Sequence, residues 1–195
     1  MMHVTHSGRI VIMRGKSHRY LGEFLLDRYM PHVPKRYARA FLIGCVEPDR
    51  NPLTYLKGSL HFQWLRGHNY RNARSFMRQI SRRLEKKERL TLLDYYTLGK
   101  LIHYTADAFT LAHNEHFSTD LGEHREYEAA LQEHFLAYLQ ADPGIDPIAA
   151  KSVMDAIYTY HREYEACIPH ISTDSRFALN ACCCILALLF AKPVL

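Results

Sequence analysis

The chain has 195 residues, of which 48% are hydrophobic and 23% charged, a balance typical of folded globular proteins rather than disordered ones. The formal net charge of +5 is too small an excess to indicate a nucleic-acid-binding protein. It favours an anionic substrate or an anionic membrane surface. The five cysteines show no CxxC spacing, which argues against a zinc ribbon and a redox dithiol.

The N-terminal part of the chain predicts two helices and a loop. The first helix begins at Ser17, which can cap it, and runs to about Met30, where prolines follow. The second is short and covers residues 36–43. Residues 44–52 then contain a glycine, two prolines, an aspartate and an asparagine, which is the composition of a loop. Such a loop could present Asp49 to a functional site.

After residue 67 the helical pattern resumes and continues to the end of the chain. Phe76, Ile80 and Leu84 share one face of the next predicted helix. Thr91 and Asp94 have the spacing of a capping box, which opens the following one. The predicted bounds of the remaining helices are residues 92–112, 123–140, 146–167 and 172–193.

The last of these helices is strongly apolar over residues 177–191 but falls short of the ~20 residues that span a bilayer. It is therefore predicted to be a buried core helix. The first 16 residues lack the apolar core of a secretory signal, so we expect a cytoplasmic protein. With no alternating strand pattern of any length, the sequence predicts an all-α, multi-helix bundle in a single domain over residues 1–195.

Histidine is the most unusual feature of the composition, with 13 residues. His103 and Asp107 are four apart on a predicted helix, so both side chains face the same way. His124 and Glu128 repeat this arrangement on the next helix, and His113 lies near the bend between them. These side chains can converge on shared cations. Imidazole nitrogen and carboxylate oxygen both suit zinc, so the pattern predicts a multinuclear metal site.

A single helical His/Asp pair is more often a surface hydrogen bond or ion pair than a metal site. The doubled pair together with His113 favours the metal site. Other metal-binding folds are excluded by spacing, because no Glu-x-x-His of the di-iron bundles and no His-Glu of the HExxH proteases occurs.

The motif from His103 to Asp107, followed by His113 and by His124-x-x-x-Glu128, resembles the metal core of the zinc-dependent phospholipase C family, which shares its fold with the S1/P1 nucleases. The resemblance extends to residues 47–52, where Asp49 matches the family's loop aspartate. It implies an all-helical protein with a zinc cluster that hydrolyses phosphate esters.

The same resemblance implies the ligands of each metal. Asp107 would bridge two ions, and His18, at the start of the first helix, would match the family's N-terminal histidine. The three implied sets are Asp49, His103 and Asp107 with either His61 or His68; His113, His124 and Glu128; and His18 with Asp107.

Two histidines compete for the remaining place in the first set. His61 better matches the family in its spacing from the aspartate and in the His-Phe pair that it forms. His68 directly precedes a predicted helix, beside a glycine that allows close approach of the backbone. His68 is slightly preferred, and both stay as candidates. In secreted members of the family, a processed N-terminal residue also binds the third ion. Here 17 residues precede His18, so this ligand is missing and two or three zinc ions are expected.

The implied activity is phosphodiester hydrolysis by metal-activated hydroxide, since zinc lowers the pKa of bound water to about 7. Asp49 would also orient or deprotonate the attacking water, as the candidate catalytic residue. A phospholipid is the favoured substrate, with peripheral contact to a membrane and no specific nucleic-acid partner. Two alternatives stay open: a nuclease or nucleotidase on the same metal core, and a non-catalytic, metal-binding helical protein.

Overall fold

The computed structural model describes residues 14–56, 67–114 and 121–190, with the backbone alone for residues 14, 15, 55 and 121–125. These residues form seven α-helices and no strand, so the predicted all-α class is confirmed. Two short 3₁₀ turns lie between helices, at Pro52–Leu56 and Leu111–His113. The helices are α1 Arg14–Tyr29, α2 Lys35–Arg50, α3 Tyr70–Glu85, α4 Leu92–Ala108, α5 Leu121–Gln140, α6 Val153–Glu165 and α7 Ile171–Phe190.

Helix α4 is the central helix, and its second half is buried on all sides. The predicted capping box at its start is confirmed: the Thr91 amide donates to the Asp94 carboxylate at 2.9 Å, and the Asp94 amide donates to the Thr91 hydroxyl at 3.3 Å. The helix ends four residues earlier than predicted. Asn114 explains this end, because its side-chain amide donates to the carbonyls of Ala108 and Thr110 at 3.1 and 2.8 Å and so satisfies groups that a helix end leaves without partners.

Helices α2 and α4 cross at two glycines, Gly44 and Gly99. A Cβ on Gly44 would lie 2.9 Å from the carbonyl carbon of Tyr96 and closer still to its oxygen. A Cβ on Gly99 would lie 2.7 Å from the Cys45 amide nitrogen and closer still to the Phe41 oxygen. The two backbones are therefore in direct contact, at a distance that only glycine permits.

The predicted loop over residues 44–52 is wrong, because α2 continues through Pro48 to Arg50. Gly44 serves the helix crossing instead of a turn. Pro48 costs the helix one backbone hydrogen bond, but the Asn51 amide still donates to the Glu47 carbonyl at 3.0 Å and closes the last turn. Asp49 consequently stands on a buried helical turn, which fixes its position more firmly than a loop would.

The predicted start of α6 at Asp146 is also wrong: the helix begins at Val153, where the Ser152 hydroxyl accepts from the Asp155 amide at 3.2 Å. The backbone of Asp146 is held instead by α7 and by α6 itself. Its amide donates to the Asn180 side chain at 3.3 Å, and its carbonyl accepts from the Tyr160 hydroxyl at 2.6 Å. These contacts hold the segment before α6 in an irregular conformation.

Helix α7 packs its middle into the core, as the sequence predicts. It has 20 residues, more than its apolar stretch indicated. By length and composition alone it could cross a membrane, the one helix in the described part of the chain that could, and 67% of its most apolar window is buried inside the protein. Phe177, Leu179 and Ile185 all lie in this buried part.

Candidate metal centre

Asp107 lies at the centre of a group of histidines contributed by α1, α4 and the segments around them. One carboxylate oxygen is 3.1 Å from His18 Nε2. The other is 3.0 Å from His68 Nδ1, 3.2 Å from His103 Nε2 and 3.8 Å from His113 Nε2. Burial alone would raise the pKa of Asp107, but the neighbouring histidines outweigh it and hold that pKa well below its usual value.

Asp49 is the second carboxylate of the group, and it faces the same histidines from α2. Its oxygens are 3.6 Å from His103 Nε2, 3.7 Å from His68 Nδ1 and 3.9 Å from His18 Nε2. Neither oxygen accepts a hydrogen bond from any described residue, although the side chain is only 3% exposed. Two ligand atoms on a tetrahedral zinc, with bonds of about 2.0–2.1 Å, stand roughly 3.3 Å apart. The spacing around Asp49 thus fits a shared cation, which would also supply the charge that this buried carboxylate requires.

In two of these histidines, the ring nitrogen that faces away from the carboxylates makes a hydrogen bond to another part of the protein. His103 Nδ1 donates to the Cys45 carbonyl at 2.9 Å, and His68 Nε2 donates to the Thr54 hydroxyl at 3.0 Å. In neutral rings these bonds leave lone pairs on His103 Nε2 and His68 Nδ1, which are 3.2 Å apart and both face the carboxylates. Two lone pairs at this distance repel each other unless a proton or a metal ion lies between them. The pattern is the one that orients histidine ligands in metal sites.

The side chains form two groups whose ligand atoms lie within 4.8 Å of one another and that could each hold a metal ion. All the members are buried. This grouping places His18 beside Asp49, whereas the resemblance assigns these two to different ions. The groups are His18, Asp49 and His103, and His68, Asp107 and His113.

Three predicted ligands stand outside these groups. His61 and the side chain of His124 lie outside the described residues, so the choice between His61 and His68 stays a prediction, as does the place of His124. Glu128, on α5, lines a small cavity of about 60 Å³ together with His18, Asp107 and His113. It is therefore near the two groups but not a member of either.

Asp174 holds the turn that carries His113, a role that no pattern in the sequence indicates. Its carboxylate accepts from the Leu111 amide and from the Tyr164 hydroxyl, each at 2.8 Å, and from the Tyr127 hydroxyl. Burial raises the pKa of Asp174 to about 7. These partners come from three segments distant in sequence, and no local spacing predicts such a junction.

Thr54 is the other side chain that sequence reasoning missed. Its hydroxyl donates to the Pro48 carbonyl at 2.6 Å while its oxygen receives His68 Nε2. We expect Thr54→Val, which keeps the shape but removes the hydroxyl, to weaken zinc binding by about 10- to 100-fold, as loss of a partner behind a metal ligand does. Zinc affinity would be measured by competition with a chromogenic chelator.

The matched control is Thr97→Val. Thr97 is a half-buried threonine on α4 whose hydroxyl donates to the Leu93 carbonyl of its own helix. We expect it to leave zinc affinity unchanged. Equal affinities of Thr54→Val and the wild type would show that the hydroxyl has no part in orienting His68.

The fold and the site together define an all-helical protein with two buried His/Asp groups that could bind metal ions. The family model of zinc dependent phospholipase C matches residues 2–171, and the chain belongs to this family. The family resemblance stated from the motifs is thereby confirmed. Searches of the curated proteins and of the solved structures give no match.

Proposed function

We propose that this protein is a zinc-dependent phosphodiesterase that cleaves phospholipids between the phosphate and diacylglycerol. The observation that carries the proposal is the pair of buried carboxylates, Asp49 and Asp107, enclosed by four histidine rings, with no residue in the described part of the chain donating a hydrogen bond to the Asp49 oxygens. Membership of the zinc-dependent family supports the same reading.

The ligand set fits zinc better than the hard cations. Each group offers two imidazole nitrogens and one carboxylate, a combination found in catalytic zinc sites, whereas magnesium and calcium prefer oxygen ligands. His18, Asp49 and His103 would hold one ion and His68, Asp107 and His113 a second; Glu128 is placed to assist a third. Zinc bound here would lower the pKa of water and neutralise charge on the phosphoryl oxygens.

Asp49 is the residue of this chain that would act on the attacking water. Its two oxygens face the centre of the group, and no described side chain or amide donates to them. One oxygen can therefore accept a proton from the attacking water and fix the direction of attack. The water oxygen forms a bond to phosphorus, the bond from phosphorus to the glycerol oxygen breaks, and that oxygen takes up a proton to leave as diacylglycerol.

The surroundings of the group favour a lipid substrate over a nucleic acid. The small cavity beside His18 and His113 has Leu131, Phe135 and Ala178 in its lining, and most of its exposed surface is apolar. An apolar surface suits the glycerol and acyl part of a phospholipid.

The test combines metal content with product analysis. The purified protein is expected to contain two or three zinc ions per chain by plasma mass spectrometry and to release diacylglycerol from phospholipid in mixed micelles. Chelation should abolish the activity and added zinc should restore it. Asp49→Asn, which preserves the shape of the side chain, should lower the rate by at least about 100-fold, because a proton acceptor near the reacting water contributes about 10²–10⁴-fold.

Asp27→Asn provides the control, since Asp27 is an exposed aspartate on α1. Its rate and zinc content should equal those of the wild type. Release of phosphatidic acid instead of diacylglycerol, or cleavage of single-stranded nucleic acid but not of lipid, would contradict the proposed reaction. Absence of bound zinc even after reconstitution would remove its basis.

A further inference from the structure

A second, larger cavity opens on the other side of His113. Its volume is about 550 Å³, within the ~300–1,000 Å³ range of small-molecule sites. His113 lines this cavity as well as the small apolar one, so the candidate metal centre borders both cavities through this residue. A substrate whose phosphodiester reaches the metals could place its apolar part on one side and its headgroup in the larger cavity.

Two arginines give the larger cavity its charge. Arg71 and Arg74 are three residues apart in the first turns of α3, so their side chains lie on the same face, and both are exposed at the cavity. Among the described residues of the lining, Glu165 is the one carboxylate, and it lies 3.5 Å from His161 Nδ1. Burial lowers the pKa of His161, which favours its neutral form. The described lining therefore holds two arginines and one carboxylate.

The inner wall of this cavity is fixed by contacts within the protein. His161 Nε2 donates to the Asn114 side-chain oxygen at 3.2 Å, and the Asn114 amide is held in turn by backbone carbonyls. The Tyr70 ring stacks on His161, with centroids 3.6 Å apart and planes 16° from parallel. The Tyr164 hydroxyl donates to Asp174. Binding an anion would thus cost little reorganisation of this wall.

We propose that this cavity binds the headgroup of the substrate and that Arg71 and Arg74 select headgroups bearing a second phosphate. This inference rests on the proposed function, because it assigns the substrate class of the same site. Arginine binds phosphate through paired N–H donors. A quaternary ammonium headgroup would require aromatic faces and an excess of carboxylates, but one face of Tyr70 is covered by His161 and the described lining has more arginines than carboxylates.

The test compares two lipids that differ by one phosphate, phosphatidylinositol and phosphatidylinositol 4-phosphate, in mixed micelles with the zinc-loaded protein. We expect the wild type to prefer the second lipid. Arg74→Ala should lower kcat/KM for phosphatidylinositol 4-phosphate about 10-fold, the effect of losing one charged hydrogen bond, and should leave phosphatidylinositol unchanged. Arg82→Ala, which removes an exposed arginine of α3 outside the cavity, should change neither value.

An equal loss on both lipids with Arg74→Ala, or no loss on either, would overturn the assignment. Binding measured by calorimetry tests the headgroup site separately from hydrolysis. The probes are inositol 1,4-bisphosphate, inositol 1-phosphate and inorganic phosphate. Tighter binding of the bisphosphate that Arg74→Ala weakens, with no hydrolysis of either lipid, would overturn the proposed function and support the anion site. Inorganic phosphate binding as tightly as the bisphosphate, with the same response to Arg74→Ala, would overturn the headgroup assignment.

Discussion

Asp107→Ala is expected to remove at least one zinc ion per chain and to lower phospholipid hydrolysis by more than about 100-fold. Losing a residue that only supports a metal ligand already costs up to about 100-fold, and Asp107 is itself a candidate ligand. The reason is the position of Asp107 within 3.8 Å of four histidine nitrogens, so both groups of ligands depend on its charge. Zinc content would be measured by plasma mass spectrometry, and hydrolysis by release of diacylglycerol.

The control for Asp107→Ala is Asp27→Ala, which removes the same charge from an exposed position on α1. It should retain the zinc content and the rate of the wild type. Asp107→Asn adds a second comparison, because it keeps the volume of the side chain and loses its charge. If both Asp107 variants retained their zinc, the metal would be bound elsewhere in the chain, and the candidate centre would be a buried network of hydrogen bonds.

The part of the site that sequence predicts best is the part that lies on one helix. His103 and Asp107 are four residues apart, and on a helix this spacing brings their side chains together whatever the rest of the chain does. The structure places His103 Nε2 3.2 Å from a carboxylate oxygen of Asp107. Helix geometry alone produces this contact, which does not depend on how the helices pack.

The approach of His18 to Asp49 is a different kind of contact. These residues lie on α1 and α2, and they meet only because the two helices pack against each other. The motif resemblance named both residues but assigned them to different ions. Helix packing depends on the whole set of buried side chains, and the spacing within one helix carries no information about it.

Residues 44–52, predicted as a loop, show that residue types common in turns can also serve inside a helix. Gly44, Pro48 and Asn51 are all common in turns, and a pattern-based reading therefore predicts a loop. Here Gly44 provides close contact with α4, Pro48 sits inside the helix, and Asn51 donates to the Glu47 side chain at 2.6 Å. Which purpose applies depends on a partner helix some 50 residues later in the chain, which local composition does not reveal.

That crossing also links the fold to the site. Cys45, directly after Gly44, presents the carbonyl that accepts from His103 Nδ1. Asp49 stands one turn further along the same helix. The depth of the contact between α2 and α4 therefore sets the distance between Asp49 and His103, which is 3.6 Å. A change in that contact should disturb both stability and metal binding.

The strongest test of the crossing is Gly99→Ala, which we expect to destabilise the protein by at least about 3 kcal/mol, at or above the upper end for overpacked cores. The added methyl group would meet backbone atoms of Phe41 and Cys45, which cannot move aside as a flexible side chain would. At ~2–4 °C per kcal/mol for a chain of this size, the melting temperature should fall by roughly 10 °C. Circular dichroism on heating measures the change, and the zinc affinity of the variant should fall with it because the Cys45 carbonyl is displaced from His103.

Gly144→Ala is the matched control, since a methyl group there would meet nothing within 4 Å. Its stability should stay within about 0.5 kcal/mol of the wild type, as for ordinary surface substitutions. Equal melting temperatures for Gly99→Ala and Gly144→Ala would mean that α2 and α4 do not touch at their backbones. In that case the distance from Asp49 to His103 would no longer be fixed by this crossing. A loss of stability without a loss of zinc affinity would separate the two roles, with the crossing needed for folding and the carbonyl of Cys45 dispensable for the metal.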